Sequence, residues 1–186
     1  MKFNIHGLLG VGVYELTLPQ LRQSILVSGP SKNIVWDTKW RLFLVDQLEA
    51  LVQQLWDVGM KNIYIDGSFV ENKAHPNDID GYFECDLLEF VSGELERKLN
   101  NLDPYEVWTW DSNRREHYEG FTKRQLPMWH KYRVELYPHF EQSSGILDEH
   151  GNEQQFPAAF RKTRESFLPK GIVKIIQEGE ITDDQN

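Results

Sequence analysis

The chain of 186 residues is 40% hydrophobic and 26% charged, an ordinary composition for one globular domain with a real core. Its net charge of −9 does not imply an extensive nucleic-acid groove, although it leaves room for a local basic patch. Cys85 is the only cysteine, which excludes an internal disulfide and favours a reducing, cytoplasmic location. No apolar run approaches the roughly 20 residues that span a bilayer, and the N-terminus lacks a signal-peptide pattern, so we expect no membrane insertion. We expect one domain over residues 1–177 and an acidic tail over residues 178–186.

The first part of the chain contains one long predicted helix. Residues 1–30 are punctuated by glycines and are predicted to form an N-terminal arm. Over residues 38–58 apolar side chains recur every three or four positions, which predicts an amphipathic helix with its apolar stripe in the core. Asp37 or Thr38 can cap the start of this helix, and Gly59 can end it.

The stretch after this helix has the pattern of a strand, a tight turn, a polar loop and a second strand. The apolar residues 63–65 are followed by Gly67 and Ser68, and the second strand carries Asp78 and Asp80. Because these aspartates are two positions apart on a strand, their carboxylates project from the same face and repel each other. A divalent cation such as Mg²⁺ or Mn²⁺ would relieve that repulsion. The backbone N–H groups and hydroxyl of the glycine-serine turn could receive phosphate oxygens beside it.

The second half of the chain alternates between further predicted elements and polar connections. In chain order these are a helix at 87–99, strands at 105–110 and 131–137, a loop at 141–157, a short helix at 161–164, and a final strand or helix at 171–176. Pro138 is expected to stop the second of these strands. Trp108 and Trp110 share a face of the first, where they either pack in the core or stack a base.

A third carboxylate and two basic clusters complete the candidate site. Metal-binding carboxylates beside a phosphate-binding turn are typical of phosphoryl- or nucleotidyl-transfer sites. When such a site uses two metal ions, it needs a third carboxylate beside the paired aspartates. Glu135 is our choice, since it interrupts an otherwise apolar strand, and Glu106 and Asp111 are the alternatives. Basic residues cluster at 114–133 and at 161–170, where they could line a triphosphate or an anionic acceptor, or form a solvated face. Zinc-ligand spacings, a Gly-x-Ser-x-Gly elbow and a Walker loop are absent from the sequence.

Gly67 and Ser68, followed after nine residues by Asp78 and Asp80, resemble the signature of the polymerase-beta-type nucleotidyltransferase superfamily. The resemblance implies an α/β (α+β) nucleotidyltransferase fold over residues 1–177, with a small mixed sheet and flanking helices. It also implies that Gly67 and Ser68 hold the triphosphate and that the aspartates hold two Mg²⁺ ions. Many members carry an arginine just after the Gly-Ser turn. Here Lys73 would supply that charge, or the triphosphate is held differently.

The same resemblance implies a reaction and a set of partners. The expected enzyme moves a nucleoside monophosphate from an NTP or dNTP to an acceptor hydroxyl, with Mg²⁺ or Mn²⁺ bound by Asp78, Asp80 and Glu135. The acceptor would be a protein side chain or an untemplated nucleic-acid end. Small members of the superfamily occur in toxin–antitoxin and phage-defence systems, so a partner protein from the same operon is expected. The alternative is a non-catalytic binding module of the same fold, such as an antitoxin subunit, because the usual third aspartate is replaced by Glu135.

Overall fold

A computed structural model describes residues 1–30 and 35–179. It contains a five-stranded mixed sheet with the strand order β1-β7-β2-β3-β4 and a separate two-stranded hairpin of β5 and β6. The strands are β1 (Val13–Leu16), β2 (Ile63–Asp66), β3 (Ile79–Glu84), β4 (Val134–His139), β5 (Ile146–Leu147), β6 (Glu153–Gln154) and β7 (Ile172–Ile175). The helices are α1 (Leu18–Gln23), α2 (Ile25–Ser28), α3 (Thr38–Asp57), α4 (Leu87–Val91), α5 (Glu94–Leu102), α6 (Pro127–Tyr132) and α7 (Phe156–Ala159). The prediction of an α+β chain with a mixed sheet and flanking helices is confirmed.

The sheet mixes both strand directions. Strand β7 runs parallel to β1, β2 runs antiparallel to both β7 and β3, and β4 runs parallel to β3. No helix among the described residues is long and apolar enough to cross a membrane. Most of the predicted acidic tail, residues 180–186, lies outside the described residues.

The two faces of the sheet are covered differently. On one face, buried residues such as Ile63, Ile65 and Leu136 belong to the main core, which also contains the apolar stripe of α3. On the other face, Tyr82 packs with Phe156, Phe160 and Ile172 in a smaller cluster. Because side chains alternate along a strand, the polar positions of β2, β3 and β4 lie on this second, less covered face.

The long helix and the strands around the Gly-Ser turn follow the sequence closely. The helix α3 lies within the predicted range, and the side chain of Asp37 accepts a hydrogen bond from the backbone N–H of Trp40 at 2.9 Å. Gly59, just beyond the helix, has a φ of +90°, which a glycine adopts without strain. The two strands predicted around Gly67 and Ser68 are β2 and β3.

The later elements depart from the sequence predictions in several places. The helix predicted at 87–99 is two helices, because Gly93 turns the chain with a φ of +74° between α4 and α5. Residues 105–110 do not form a strand. Instead, the Asn100 side chain bonds both the backbone N–H and the carbonyl of Trp108, at 2.9 and 2.7 Å. Trp108 is fully buried, so its core interpretation is confirmed.

The strand that carries Glu135 is also shifted from its predicted range. It begins at Val134, because residues just before it form α6 and Arg133 turns the chain with a φ of +56°. Pro138 does not stop the strand, since β4 is an edge strand where a missing N–H costs no ladder bond. Residues 161–164 are not helical. The predicted loop at 141–157 contains the β5–β6 hairpin and the start of α7, and the arm contributes the unpredicted strand β1.

Arg41 joins the long helix to the loop that follows the Gly-Ser turn. Its side chain is fully buried and donates hydrogen bonds to the carbonyls of Leu26 at 2.5 Å and Phe69 at 2.8 Å. It also donates to the carbonyls of Glu71 at 3.2 Å and Lys73 at 2.6 Å. Burial lowers the pKa of Arg41 to about 9. One helical side chain therefore fixes the backbone of the loop after Ser68.

We expect Arg41→Met to lower the free energy of unfolding by about 3 kcal/mol or more, because two buried and two partly buried carbonyls lose a charged donor. Urea unfolding followed by circular dichroism measures this change. Arg97→Met is the control, since Arg97 is exposed on α5 and should change stability by about 0.5 kcal/mol or less. Equal effects of the two substitutions would contradict the role given to Arg41.

Candidate active site

Three carboxylates lie side by side at one edge of the sheet. Strand β2 ends where β3 and β4 begin, because β3 runs antiparallel to β2 and β4 runs parallel to β3. Asp66 is the register partner of Asp80, and Asp80 is the register partner of Glu135. Register partners on neighbouring strands point to the same face. Asp66, Asp80 and Glu135 therefore form a row across three strands.

Asp78 joins this row just before β3 begins. It lies two residues before Asp80, so its carboxylate projects to the same face, and it lines a common cleft with Asp80 and Glu135. The indole N–H of Trp129, a fully buried residue on α6, donates a hydrogen bond to Asp78 Oδ2 at 2.7 Å. Burial raises the pKa of Asp78, and the negative charge of Glu135 adds to that shift.

Asp80 is the centre of the row and has the least support from protein donors. Its carboxylate makes no hydrogen bond or ion pair with any residue in the described ranges. Burial raises its pKa to about 8, and the charges of Asp78, Glu135 and Asp66 act in the same direction. Without a cation in direct contact among the described residues, this carboxyl therefore keeps its proton up to about pH 8.

Glu135, in contrast, is held at both of its oxygens. Its Oε1 accepts hydrogen bonds from the backbone N–H of Leu126 at 2.9 Å and from Arg115 Nη1 at 3.3 Å. Its Oε2 accepts a short hydrogen bond from the hydroxyl of Tyr137. Burial raises the pKa of Tyr137, so this hydroxyl stays protonated as a donor. A carboxylate can accept about four hydrogen bonds, so Glu135 keeps some capacity for a further ligand.

The Gly67–Val70 turn brings backbone and hydroxyl groups close to Asp80. Gly67 has a φ of +69°, and a Cβ at this position would lie 2.5 Å from Asp80 Oδ2. Only glycine allows this close approach. The hydroxyl of Ser68 makes no hydrogen bond within the described residues, so it is available to a ligand.

A buried lysine supports this turn from behind. Lys170 Nζ lies 3.1 Å from Asp66 Oδ2 and 2.8 Å from Glu71 Oε1, and it is 3.4 Å from the carbonyl oxygen of Gly67. Burial raises the pKa of Asp66 to about 7, although the charge of Lys170 opposes that shift. The other oxygen of Asp66, Oδ1, is buried without a hydrogen-bond partner. Lys170 is thus the cation that keeps one end of the row of carboxylates compatible with burial.

Two clefts open onto this row. The first, which we call the carboxylate cleft, has a volume of about 690 Å³ and is lined by Asp78, Asp80 and Glu135 together with Arg115, Lys123 and Arg124. The second, the serine cleft, has a volume of about 530 Å³ and is lined by Gly67, Ser68, Lys73 and Lys170. Asp80, Ile146, Phe160 and Arg164 line both. The clefts therefore meet at Asp80.

The structure places the predicted site residues as two groups around this meeting point. Asp78, Asp80 and Glu135 line the carboxylate cleft, and the predicted phosphate ligands line the serine cleft. Neither alternative third carboxylate is among the residues that line these clefts. Asp111 caps the short turn Ser112–Arg114, and Glu106 is exposed at a residue with a φ of +51°.

The carboxylate oxygens are the type of ligand that a divalent cation prefers, but the side chains are not arranged around a common metal position. Asp80 offers two oxygens with no protein donor, and hard oxygen ligands suit Mg²⁺ or Mn²⁺. However, the described residues contain no group of three or more His, Cys, Asp or Glu side chains arranged to hold a metal ion. The metal site with Asp78, Asp80 and Glu135 stays a prediction.

Several residues that shape the site were missed at the sequence level. Trp129 and Tyr137 hold Asp78 and Glu135, but an aromatic residue in an apolar segment gives no signal that its polar group reaches a carboxylate. Lys170 and Arg115 belong to the predicted basic clusters, yet their carboxylate partners lie far away in the sequence.

Comparison with known proteins identifies a family but no activity. The model of a family of unknown function, DUF6932, matches residues 1–176. No curated protein and no solved structure matches the chain. The matched range includes both clefts and every residue of the carboxylate row.

We expect Lys170→Met to lower the free energy of unfolding by about 3–5 kcal/mol, because it leaves Asp66 and Glu71 without their buried cation. Lys174→Met is the matched control, since Lys174 is ion-paired to the exposed Glu15 at 3.4 Å and should contribute less than about 1 kcal/mol. Urea unfolding of both variants at neutral pH gives the comparison. If the two losses are equal, the triad around Lys170 is not a main support of the turn.

The raised pKa of Asp80 predicts a pH dependence of stability. The folded chain keeps a proton on this carboxyl up to about pH 8, whereas the unfolded chain loses it near pH 3.8. Because the folded chain binds this proton more tightly than the unfolded chain, the proton contributes to the free energy of unfolding. This contribution is fully present below pH 3.8 and is lost as the pH rises to about 8. In EDTA, the loss of stability between these values should be smaller in Asp80→Asn than in the natural chain. Asp57→Asn, at an exposed position on α3, should leave the slope unchanged. An identical slope in Asp80→Asn would refute the assignment.

Proposed function

The chain belongs to the DUF6932 family, and we propose that it is a metal-dependent nucleotidyltransferase. The proposed reaction transfers a nucleoside monophosphate from an NTP or dNTP to an acceptor hydroxyl. The observation that carries the proposal is the meeting of two clefts at Asp80. One cleft is lined by carboxylates, and the other is lined by a glycine-serine turn with a free hydroxyl. A transfer reaction needs such adjacent places for donor and acceptor.

In this proposal the serine cleft receives the triphosphate. Ser68 offers its hydroxyl, and Lys73, which lines the same cleft, adds a positive charge. Arg41 fixes the backbone between these two residues through the carbonyls of Phe69, Glu71 and Lys73. Such positioning reduces the entropy that must be lost when the nucleotide binds.

Asp78 and Asp80 would hold the divalent cations, with Glu135 as the third carboxylate. When bound, Mg²⁺ or Mn²⁺ would neutralise phosphate charge and favour deprotonation of the acceptor hydroxyl. Trp129 orients Asp78, whereas Leu126, Arg115 and Tyr137 orient Glu135. Asp78 and Glu135 are thus oriented by neighbouring residues, as a preorganised site requires, whereas Asp80 has no such contact among the described residues.

A second candidate function is a binding module that keeps the fold without catalysis, for example as the partner of a protein encoded in the same operon. One observation favours it: the oxygens of Glu135 already accept three hydrogen bonds from the protein. In a binding module, Glu135 would have the structural role of tying the loop before α6 to β4. The setting of toxin–antitoxin or phage-defence systems fits either function.

The test is to incubate the purified chain with each labelled NTP and dNTP in the presence of Mg²⁺ or Mn²⁺. We expect pyrophosphate release together with labelling of an added acceptor or of the protein. Glu135→Gln should lower kcat by about 100-fold or more and leave the KM for the nucleotide nearly unchanged, since its charge acts mainly in the transition state. Asp80→Asn should abolish both turnover and the increase in thermal stability that Mn²⁺ produces.

Asp57→Asn is the control for these substitutions and should retain full activity. The binding module gains support if no nucleotide is turned over under any condition and Mn²⁺ does not raise the melting temperature. Ser68→Ala should weaken nucleotide binding by roughly 1.5–3 kcal/mol without loss of the fold. A variant that unfolds while keeping its nucleotide affinity would make Ser68 structural.

A further inference from the structure

The carboxylate cleft contains positive charge that the carboxylates do not use. Lys123, Arg124 and Arg164 line it, and all three are exposed. None of them makes an ion pair with any residue in the ranges 1–30 and 35–179. Arg115, the fourth cation, is paired with Glu135. A chain with a net charge of −9 thus concentrates three free cations around one opening.

The positions of these cations are set by the fold. Lys123 and Arg124 lie in a loop whose ends are joined by two backbone hydrogen bonds between Glu116 and Gln125, each 2.8 Å long. Arg164 comes from a different part of the chain, after α7, and its charge partly offsets the raised pKa of Asp80. Two separate segments therefore bring positive charge to one cleft.

The serine cleft differs in this respect. Lys162 is paired with Glu149 at 3.0 Å, and Lys170 is paired with Asp66 and Glu71. Of its lysines only Lys73 is without a carboxylate partner among the described residues, and the unpaired Arg164 lines both clefts. Lys123 and Arg124 are therefore the unpaired cations that distinguish the carboxylate cleft, on the side where the acceptor would bind, and any cation held by the carboxylates would add to their charge.

We propose that the carboxylate cleft binds a nucleotide as the acceptor: either the 3′ end of a single-stranded polynucleotide or a free nucleotide. The proposal rests on the proposed function. Lys123, Arg124 and Arg164 contact the phosphate groups, and the acceptor's 3′-hydroxyl points to Asp80. A volume of about 690 Å³ lies within the usual range for ligand pockets. Phe121 and Phe160 also line the cleft and offer apolar contacts for a base or a sugar.

The transfer step then balances without a further reactant. The acceptor's 3′-hydroxyl oxygen forms a bond to the α-phosphorus of the nucleoside triphosphate in the serine cleft. The bond between that phosphorus and the bridging oxygen to the β-phosphate breaks, and its electron pair leaves with pyrophosphate. The hydroxyl proton is released to solvent. The product is an acceptor extended by one nucleotide.

The experiment combines a binding assay with a transfer assay. Fluorescence anisotropy measures binding of 5′-labelled single strands of about 12 nucleotides, both RNA and DNA, over about 50–200 mM salt. Transfer from labelled NTPs and dNTPs is measured with these strands, with strands lacking the 3′-hydroxyl, with free nucleotides and without any acceptor. The variants are Lys123→Gln with Arg124→Gln, and Arg164→Gln. The control is Lys39→Gln with Arg97→Gln, which removes the same charge at exposed positions away from both clefts.

We expect the Lys123 and Arg124 double variant to raise the KM for the strand about tenfold or more, with the KM for the NTP unchanged. Its slope of log affinity against log salt should fall by about 1.4, since each phosphate contact on a single strand contributes about 0.7. The control should match the natural chain, and strands without a 3′-hydroxyl should bind but not be extended. Equal KM values for free nucleotides and for strands would identify a free nucleotide as the acceptor of the cleft.

Two outcomes overturn the claims separately. If the chain labels a polypeptide, including itself, but neither binds nor extends any nucleotide acceptor, the acceptor assignment is wrong and the transferase proposal stands. If strands bind in a manner that depends on Lys123 and Arg124 but no transfer occurs with either metal, the transferase proposal is wrong. The cleft is then a nucleotide-binding site without an acceptor role.

Discussion

Mutual repulsion of carboxylates at one edge of the sheet is the constraint on which the site depends. The strand register places Asp66, Asp80 and Glu135 in one row, and partial burial makes every additional charge in that row costly. Within the described residues, basic side chains compensate the carboxylates at the two ends of the row but not the one in the middle. Lys170 compensates Asp66, and Arg115 compensates Glu135, whereas Asp80 has no cation in contact among the described residues. The charge of the row is therefore compensated at its ends and not at its centre.

The parts of this arrangement that could be predicted are encoded within short stretches. Periodic apolar residues and the Asp37 cap specify α3, because helix formation depends on neighbours three or four positions apart. The Gly67–Val70 turn and β3 could likewise be predicted from the sequence, since a glycine between two apolar runs indicates that one strand ends before the next begins. Glu135 was placed correctly next to Asp80 because an acidic residue in an apolar strand marks an unusual position.

The remaining features depend on partners that are distant in the sequence. Asn100 satisfies both backbone groups of Trp108 and so removes any need for a strand there, although residues 105–110 alternate like one. Trp129 reaches Asp78 because α6 packs beside the sheet, which no local pattern reveals. The ion pair of Lys170 with Asp66 arises because β7 enters the sheet next to the end of β2. Sheet order decides these contacts, and sheet order is set by packing of the whole domain.

Net charge gave the least guidance about the cleft, and the reason is physical. The net charge of −9 is a sum over the whole chain. Exposed charges, however, act over only about 8–10 Å at ordinary salt concentrations. Within that distance of the cleft the balance is different, because Lys123, Arg124 and Arg164 stand together without carboxylate partners in the described part of the chain. The net negative charge of the chain disfavours a long duplex laid across the protein. The short strand end that we propose as the acceptor would instead contact these cations within the cleft.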